Sequence, residues 1–299
     1  MTAEWKPANI EDLMCYWLVT YANTYKAPAS IRRDEGMVRH QILPYFGKLK
    51  ISDIKTRDVE LWLLELRDRL GLCEKSCNDA LGLFRKVLND GIRWGYVLDN
   101  PVARVRKYSI REQKYQYWKN SEVVRFLQYF EPFEVKPRAY WPTVLALYTG
   151  MRRGELVALK WDRIDMESKL ITVDRAYCRV LKSDKSYTKS GKIRYIPISG
   201  KLSAYLETLK SFYVEDNKVL PLTPIDMLQK DFIKITKMCE NPRIKFHDLR
   251  HTFASNFLMG GGIIYDLQKI LGHSTIQVTE RYVHMVPDDM RGKTEVLGF

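Results

Sequence analysis

The 299-residue sequence has no apolar run approaching the roughly 20 residues that cross a bilayer. Its first residues, MTAEWKPANIED, lack the apolar core of a secretory signal, so neither a membrane nor export is expected and the chain is placed in the cytoplasm. Cysteine is scarce: Cys15, Cys73, Cys77, Cys178 and Cys239 are odd in number and scattered, which excludes a disulfide frame and reads as reduced core residues. Cys73 and Cys77 are half of a zinc spacing with no second pair behind them. There is no internal repeat, no low-complexity tract and no glycine-rich phosphate loop. Carboxylates are not gathered either. Asp162, Asp165, Asp174 and Asp184 are spread over loops and strands, where a two-metal nuclease would cluster them. Acidic residues are in deficit overall, 36 against 49 Lys and Arg, and the formal charge of +13 favours a polyanionic partner, nucleic acid before a membrane surface.

What is present begins with a small helical domain, residues 1–103. Leu13, Trp17, Leu18 and Tyr21 recur at helical spacing, and Pro28 closes that segment. Ser30 is placed to cap a second helix ending near Leu43 before Pro44. Its apolar side is Met37, Val38 and Ile42, and Arg32, Arg33 and Arg39 are left for solvent or phosphate. Thr56 caps a third helix with Val59, Leu63 and Leu66 inside. A fourth carries Cys77, Leu81, Phe84, Val87 and Leu88 and ends near Gly95. The stretch 104–118, RVRKYSIREQKYQYW, has no hydrophobic period. It reads as a basic linker whose Arg104, Arg106, Lys107, Arg111 and Lys114 are available to neutralise phosphates.

A second domain, 119–299, opens with a helix capped at Asn120 or Ser121 and carrying Val124, Phe126 and Leu127. A buried helix, YWPTVLALYTG, is stopped by Gly150. Arg152 follows on a turn, where Glu155, three residues on, can return a carboxylate to its guanidinium. Two strand-like alternations, KLITVDRAYCRVL and KIRYIPIS, flank a hairpin turn at Ser190 and Gly191 with Lys189 at its tip. Helices near 201–212 and 227–239 lead to FHDLRHTFASNFLMGGGIIYDLQKILGHSTIQVTERY. There His247 and Arg250 share the first turn of a helix. Gly272 ends a short helix, and Ser274 with Gln277 makes a capping box for another that carries Tyr282.

These residues suit attack on a phosphodiester. Two guanidiniums, Arg152 and Arg250, can grip the non-bridging oxygens of a pentavalent transition state. Tyr282 is the candidate nucleophile, His247 the base, Lys189 the proton donor to the leaving sugar oxygen, and His273 a further hydrogen bond to phosphate. A phosphotyrosyl ester keeps the energy of the broken bond, so religation needs neither ATP nor metal, and no cofactor is expected. A rival reading takes His247, His251 and His273 as zinc ligands on an H-E-x-x-H-like helix. Asp248 in place of Glu and the adjacent Arg250 charge weigh against it.

TGMRRGEL, YTKSGKIRYIPIS, FHDLRHTFAS and LGHSTIQVTERY, in that order, resemble the successive motifs of the tyrosine recombinases, the phage-integrase family. PYFGKLKISDIKTRDVELWL resembles the N-terminal part more loosely. The resemblance implies a mainly α fold with a small antiparallel β-sheet (α+β). A SAM-like core-binding domain and a mixed catalytic domain of the DNA breaking-rejoining type would form a C-shaped clamp. It implies Arg152 and Arg250 as phosphate clamp, supported by Glu155, with Lys189 as general acid, though Lys185 and Lys192 lie close. His247 is implied as base or hydrogen-bond partner, His273 as phosphate contact and Tyr282 as nucleophile. The expected activity is site-specific recombination through a 3′-phosphotyrosyl intermediate and a Holliday junction, for integration or excision of a phage or other mobile element. Resolution of chromosome dimers, as in Xer-like enzymes, or a type IB topoisomerase-like strand transfer are the alternatives. The expected partners are double-stranded attachment sites, a homo-tetramer on synapsed DNA with a monomer as the free form, and an accessory DNA-bending protein. Such a chain would sit on the nucleoid. The layout is closer to the compact resolvases than to integrases with a separate arm-binding domain, and the 17 residues after Tyr282 can pack on their own subunit or on a neighbour's.

Overall fold

The computed structural model describes residues 6–110, 115–185, 192–212, 217–220 and 224–283. The chain forms two compact units, Met1–Gln113 and Lys114–Phe299, each with its own core.

The first unit is helical throughout. Asn9 caps Ile10–Trp17 by accepting the Asp12 N–H at 2.9 Å. The apolar stripes the sequence predicts are inside: Leu13, Trp17, Met37, Val38, Ile42, Val59, Leu63, Leu66, Cys77, Leu81, Phe84, Val87 and Leu88 are all buried. Long helices Thr56–Asp68 and Glu74–Arg93 carry nearly half of this core.

Three boundaries differ from expectation. The first helical run ends at Tyr25, ahead of Pro28 as expected, and Pro28 also opens the next, Pro28–Met37, where a missing N–H costs nothing; Ser30 lies inside that helix rather than capping it. Pro44 does not end the second helix. A π-turn, Val38–Ile42, widens the coil ahead of the proline ring, and Leu43–Phe46 carries the helix past it. The Gln41 carbonyl then accepts from Trp62 Nε1 at 2.7 Å. The third helix is capped from Asp58, whose carboxylate accepts the Lys55 N–H at 3.0 Å, and Thr56 is its first residue. Cys15 and Cys73 are exposed rather than core, and none of the five cysteines is in a disulfide.

The basic stretch is not featureless. Val105 is buried in the first core, and Tyr108 exchanges two hydrogen bonds with Asn78, 2.8 and 2.9 Å, holding the chain onto Glu74–Arg93. Trp118 is buried in the second core and donates Nε1 to the Pro242 carbonyl at 2.9 Å.

The second unit is built around Tyr140–Thr149. This helix is apolar on all sides and accordingly buried on all sides, against Gly200–Phe212, Leu228–Met238 and Asp248–Met259. Ahead of it lies Asn120–Phe130, in which Phe126 is buried but Val124 is exposed, contrary to its predicted inward place. A three-stranded antiparallel sheet packs alongside, with Leu170–Val173 between Ile164–Asp165 and Arg194–Pro197, and Ile171 opposite Ile196. A separate two-stranded ribbon pairs Ala176–Cys178 with Ser183–Lys185. The predicted hairpin turn at Ser190 and Gly191, with Lys189, lies outside the described residues, as do Arg111 and Lys114. Among the described residues no helix is long and apolar enough to cross a membrane.

Candidate active site

Two glycines fix the frame of the site. Gly150 ends Tyr140–Thr149 in a left-handed conformation, φ 62°, and a Cβ there would lie 2.5 Å from the Phe253 ring and 2.8 Å from Leu271. Gly272 ends Ile264–Leu271 in the same way, φ 67°, and a Cβ would lie 2.8 Å from Arg194 Cδ. Only a residue without a side chain satisfies both demands at either place.

Arg250 lies between these two helix ends. It is 3% exposed and donates Nη1 to the Gly150 carbonyl at 2.8 Å and Nη2 to the Leu271 carbonyl at 2.6 Å. Both acceptors are helix-terminal carbonyls that would otherwise be unsatisfied, so the guanidinium fastens the helices while the helices fasten it. Burial, and then the charge of Arg152, lower its pKa to about 9.

Arg152 stands two residues past Gly150, at the N-cap of Arg153–Val157. Glu155 accepts its backbone N–H at 2.8 Å and its Nη1 at 3.0 Å, as the spacing predicts. The carboxylate does more than the sequence reading assigned to it. It is buried, 1% exposed, and is gripped by both terminal nitrogens of Arg194, at 3.0 and 2.6 Å. Arg194 in turn donates Nε to the Ile270 carbonyl at 2.8 Å. Burial pushes the Glu155 pKa up, but the hydrogen bond and charge of Arg194, then the charge of Arg152, outweigh it, and the group lies below the usual carboxylate range.

Arg194 was not among the sequence candidates. The signal was in the strand: Arg194, Ile196 and Ile198 alternate to one face and all three are buried, so an arginine on an apolar face required an acid.

His273 follows Gly272 in the turn and bonds Thr279 Oγ1 through Nδ1 at 2.8 Å. Burial, followed by the charges of Arg250 and Arg152, lowers its pKa to about 3, so the ring is neutral at physiological pH. His247 is the N-cap of Asp248–Met259, with its outer edge exposed. Protein packed around its ring, then Arg250, lower its pKa too. His247 and Arg250 therefore share a helical turn but not an environment.

The segment after His273 is shorter than the predicted capping box suggests. Ile276, not Ser274, is the N-cap of a four-residue helix, Gln277–Glu280, and Tyr282 lies just beyond it with its N–H on the Thr279 carbonyl at 3.0 Å. The Tyr282 side chain is 2% exposed. Its hydroxyl bonds Nδ1 of His251, not His247, at 2.9 Å, and its ring stacks on His273 at 6.3 Å and 8°. Burial raises the phenol pKa against the pull of Arg250 and Arg281.

A cavity of about 930 Å³ opens beside these groups, lined by Arg152, Lys192, Arg194, Lys269, Gly272 and His273. Its cationic rim and its half-buried arginine suit an anion with several oxygens. Of the sequence candidates the structure thus gathers Arg152, Glu155, Arg250, His273 and Tyr282, with His247 at the edge. Lys192 lines the cavity, and the side chain of Lys185 lies outside the described residues, as Lys189 does. No set of three His, Cys, Asp or Glu among the described residues is arranged to hold a metal ion. In the first unit Arg32, Arg33, Arg39, Arg106 and Lys107 are exposed, and Arg104 is exposed and paired with Asp99 at 2.8 Å.

Comparison with known proteins places this arrangement. The sequence pattern of the Phage integrase family matches residues 116–288, and that of the Phage integrase N-terminal SAM-like domain matches residues 9–67. A tyrosine recombinase XerC-like protein of Caldanaerobacter subterraneus subsp. tengcongensis is 25% identical over 99% of this chain and 84% of its own. The ICEBs1 integrase of Bacillus subtilis is 22% identical, over 90% of this chain and 77% of its own. Among solved structures, the Tn1549 transposon integrase in complex with transposon right end DNA superposes with a TM-score of 0.80 at 19% identity, covering 97% of this chain and 100% of that one. A lambda integrase dimer bound to a COC′ core site gives 0.74 at 16%, covering 92% and 95%. At these identities the superpositions speak for the fold. The family pattern spans more than half of the sequence, and the chain belongs to the phage integrase family, the tyrosine recombinases.

Proposed function

We propose that this chain is a site-specific DNA recombinase of a phage or other mobile element. In this reading Tyr282 Oη attacks a backbone phosphorus as the bond to O5′ breaks, leaving a 3′-phosphotyrosyl ester. Arg152 and Arg250 bear the charge that develops on the non-bridging oxygens, His273 adds a hydrogen bond there, and His247 contacts the same phosphate from the rim. Lys189 delivers the proton that O5′ requires. A 5′-hydroxyl from a second duplex then reverses the step, so that two rounds of exchange pass through a Holliday junction on a tetramer of this chain. The exposed arginines of the first unit, with Arg106, Lys107, Arg111 and Lys114, would bind duplex backbone in a salt-dependent way. The protein would then reside on the nucleoid.

The observation that supports this most is Arg152 in the cavity wall with the buried Arg250 close enough to feel its charge, the first held by a buried carboxylate and the second by two helix-terminal carbonyls. Two cations at close quarters are costly unless an anion comes between them. The solved integrases of the Tn1549 transposon and of lambda, each bound to DNA, favour integration and excision. The XerC-like relative, which aligns over nearly the whole chain, favours dimer resolution as the second reading.

The test is incubation with nicked duplexes carrying a site selected from random DNA by the chain itself, followed by a denaturing gel. The wild type is expected to form a covalent adduct that Tyr282→Phe abolishes while binding persists. An adduct formed by the phenylalanine variant would overturn the assignment.

A further inference from the structure

The mechanism above leaves one reacting group without an acceptor: the proton on the Tyr282 hydroxyl. His247, whose outer edge is exposed, is not the imidazole bonded to that hydroxyl; His251 is, at 2.9 Å through Nδ1, and both partners are buried. A buried phenol needs a hydrogen-bond partner, and between two neutral groups the phenol is the better donor and the imidazole nitrogen the better acceptor. The proton on Tyr282 therefore points at His251 Nδ1, which places the ring hydrogen on Nε2.

The pocket is built around that pair. His251 follows His247 by one turn on the same helix, their rings edge-to-face at 5.6 Å. Tyr115 lies against the His251 ring at 4.5 Å and the Tyr282 ring at 6.4 Å, and Arg281 fixes Tyr115 in place by donating to its hydroxyl at 2.8 Å. His273 closes the other face of Tyr282.

Building on the nucleophile assigned above, we propose that His251 is a further catalytic residue, the acceptor of the Tyr282 proton, and that His247 serves the phosphate alone. As Tyr282 Oη forms its bond to phosphorus, the O–H bond breaks and its proton passes to Nδ1. The electron pair of the P–O5′ bond leaves with O5′, which is protonated separately by the general acid. Religation runs the transfer backwards, with the imidazolium returning the proton to the phenol.

The charges around His251 make this transfer dependent on substrate. In the free chain burial, then His247, Arg250 and Arg281, lower its pKa to about 4, which leaves it neutral but a weak base. A phosphodiester beside Arg250 offsets part of that cationic field. His251 becomes more basic only when a phosphorus is in place to be attacked.

The measurement is the rate of adduct formation across pH on the selected nicked duplex, for the full chain and for His251→Asn, His251→Ala and His247→Asn. Asparagine keeps a polar side chain of similar reach but cannot take up a proton. The expected result is a rate about 100-fold lower for His251→Asn, with DNA binding intact. The wild-type rate should fall as pH drops through the DNA-bound pKa of His251. His251→Asn should lack that acid limb and climb toward high pH as solvent base takes over. Imidazole added to His251→Ala should restore a measurable fraction of the rate. His247→Asn should keep the acid limb at a lower rate. A His251→Asn rate within a few fold of wild type, or an acid limb lost in His247→Asn instead, overturns the proposal. So does a uniform loss in His251→Asn with no change in pH profile and no imidazole rescue. A wild type that forms no adduct at all would count against the nucleophile assignment itself, a separate failure.

Discussion

Arg250 and Tyr282 are both almost fully buried, yet they are held by different means. The arginine is tied to two helix-terminal carbonyls and sits on a twelve-residue helix packed against the centre of the unit. The tyrosine follows a helix of four residues and is restrained by one side-chain hydrogen bond and by ring contacts. The phosphate-holding half of the site is thus preorganised, and its geometry is over-determined before DNA arrives. The half that forms the new bond is kept in place by interactions worth about 1 kcal/mol apiece, so a short approach to phosphorus with His251 still in reach costs little.

If that contrast is correct, the greatest loss comes from the rigid half. Arg250→Ala should lower adduct formation by about 10³-fold or more and depress the melting temperature too, since the Gly150 and Leu271 carbonyls lose their donors. Glu155→Gln should follow, destabilising by about 3 kcal/mol because the Arg194 guanidinium is left buried without its counter-charge. The folded-state pKa of Glu155 is depressed, so its contribution is full at neutral pH and is lost as pH falls through that lowered value. The melting-temperature gap between wild type and Glu155→Gln should therefore narrow on acidification. Gly150→Ala should cost about 2 kcal/mol in chemical denaturation, from the positive φ and the Phe253 ring in its way. The smallest effect belongs to the tyrosine side. Thr279→Val removes the hydroxyl on His273 and should lower stability by about 1 kcal/mol, with a rate loss of only several fold.

Much of this was legible in the chain itself, for identifiable reasons. Helical stripes such as Val59, Leu63 and Leu66 are local and periodic, and the Arg152–Glu155 pair is three residues long. What escaped was non-local or context-dependent. Arg194 acts on Glu155 across 39 residues, and its importance shows only when an inward strand position is weighed against its charge. Ser30 reads as a cap and Pro44 as a stop, although Pro28 can open a helix two residues earlier and a π-turn can carry the coil past a proline. The bond from Tyr282 to His251 was not legible, because nothing in their separation of 31 residues announces it.

Trp118 has a practical consequence for anyone cutting the molecule into parts. Its backbone N–H is held by Thr252 at 3.0 Å and its carbonyl by Asn256 at 3.1 Å, so it is riveted to the helix that carries Arg250 and His251, and its ring lies against Phe126 and Phe232. An isolated C-terminal fragment that begins at Lys119 would lose this rivet and open a hole the size of an indole. One that begins at Tyr115 or earlier keeps both the plug and the aromatic lid over Tyr282.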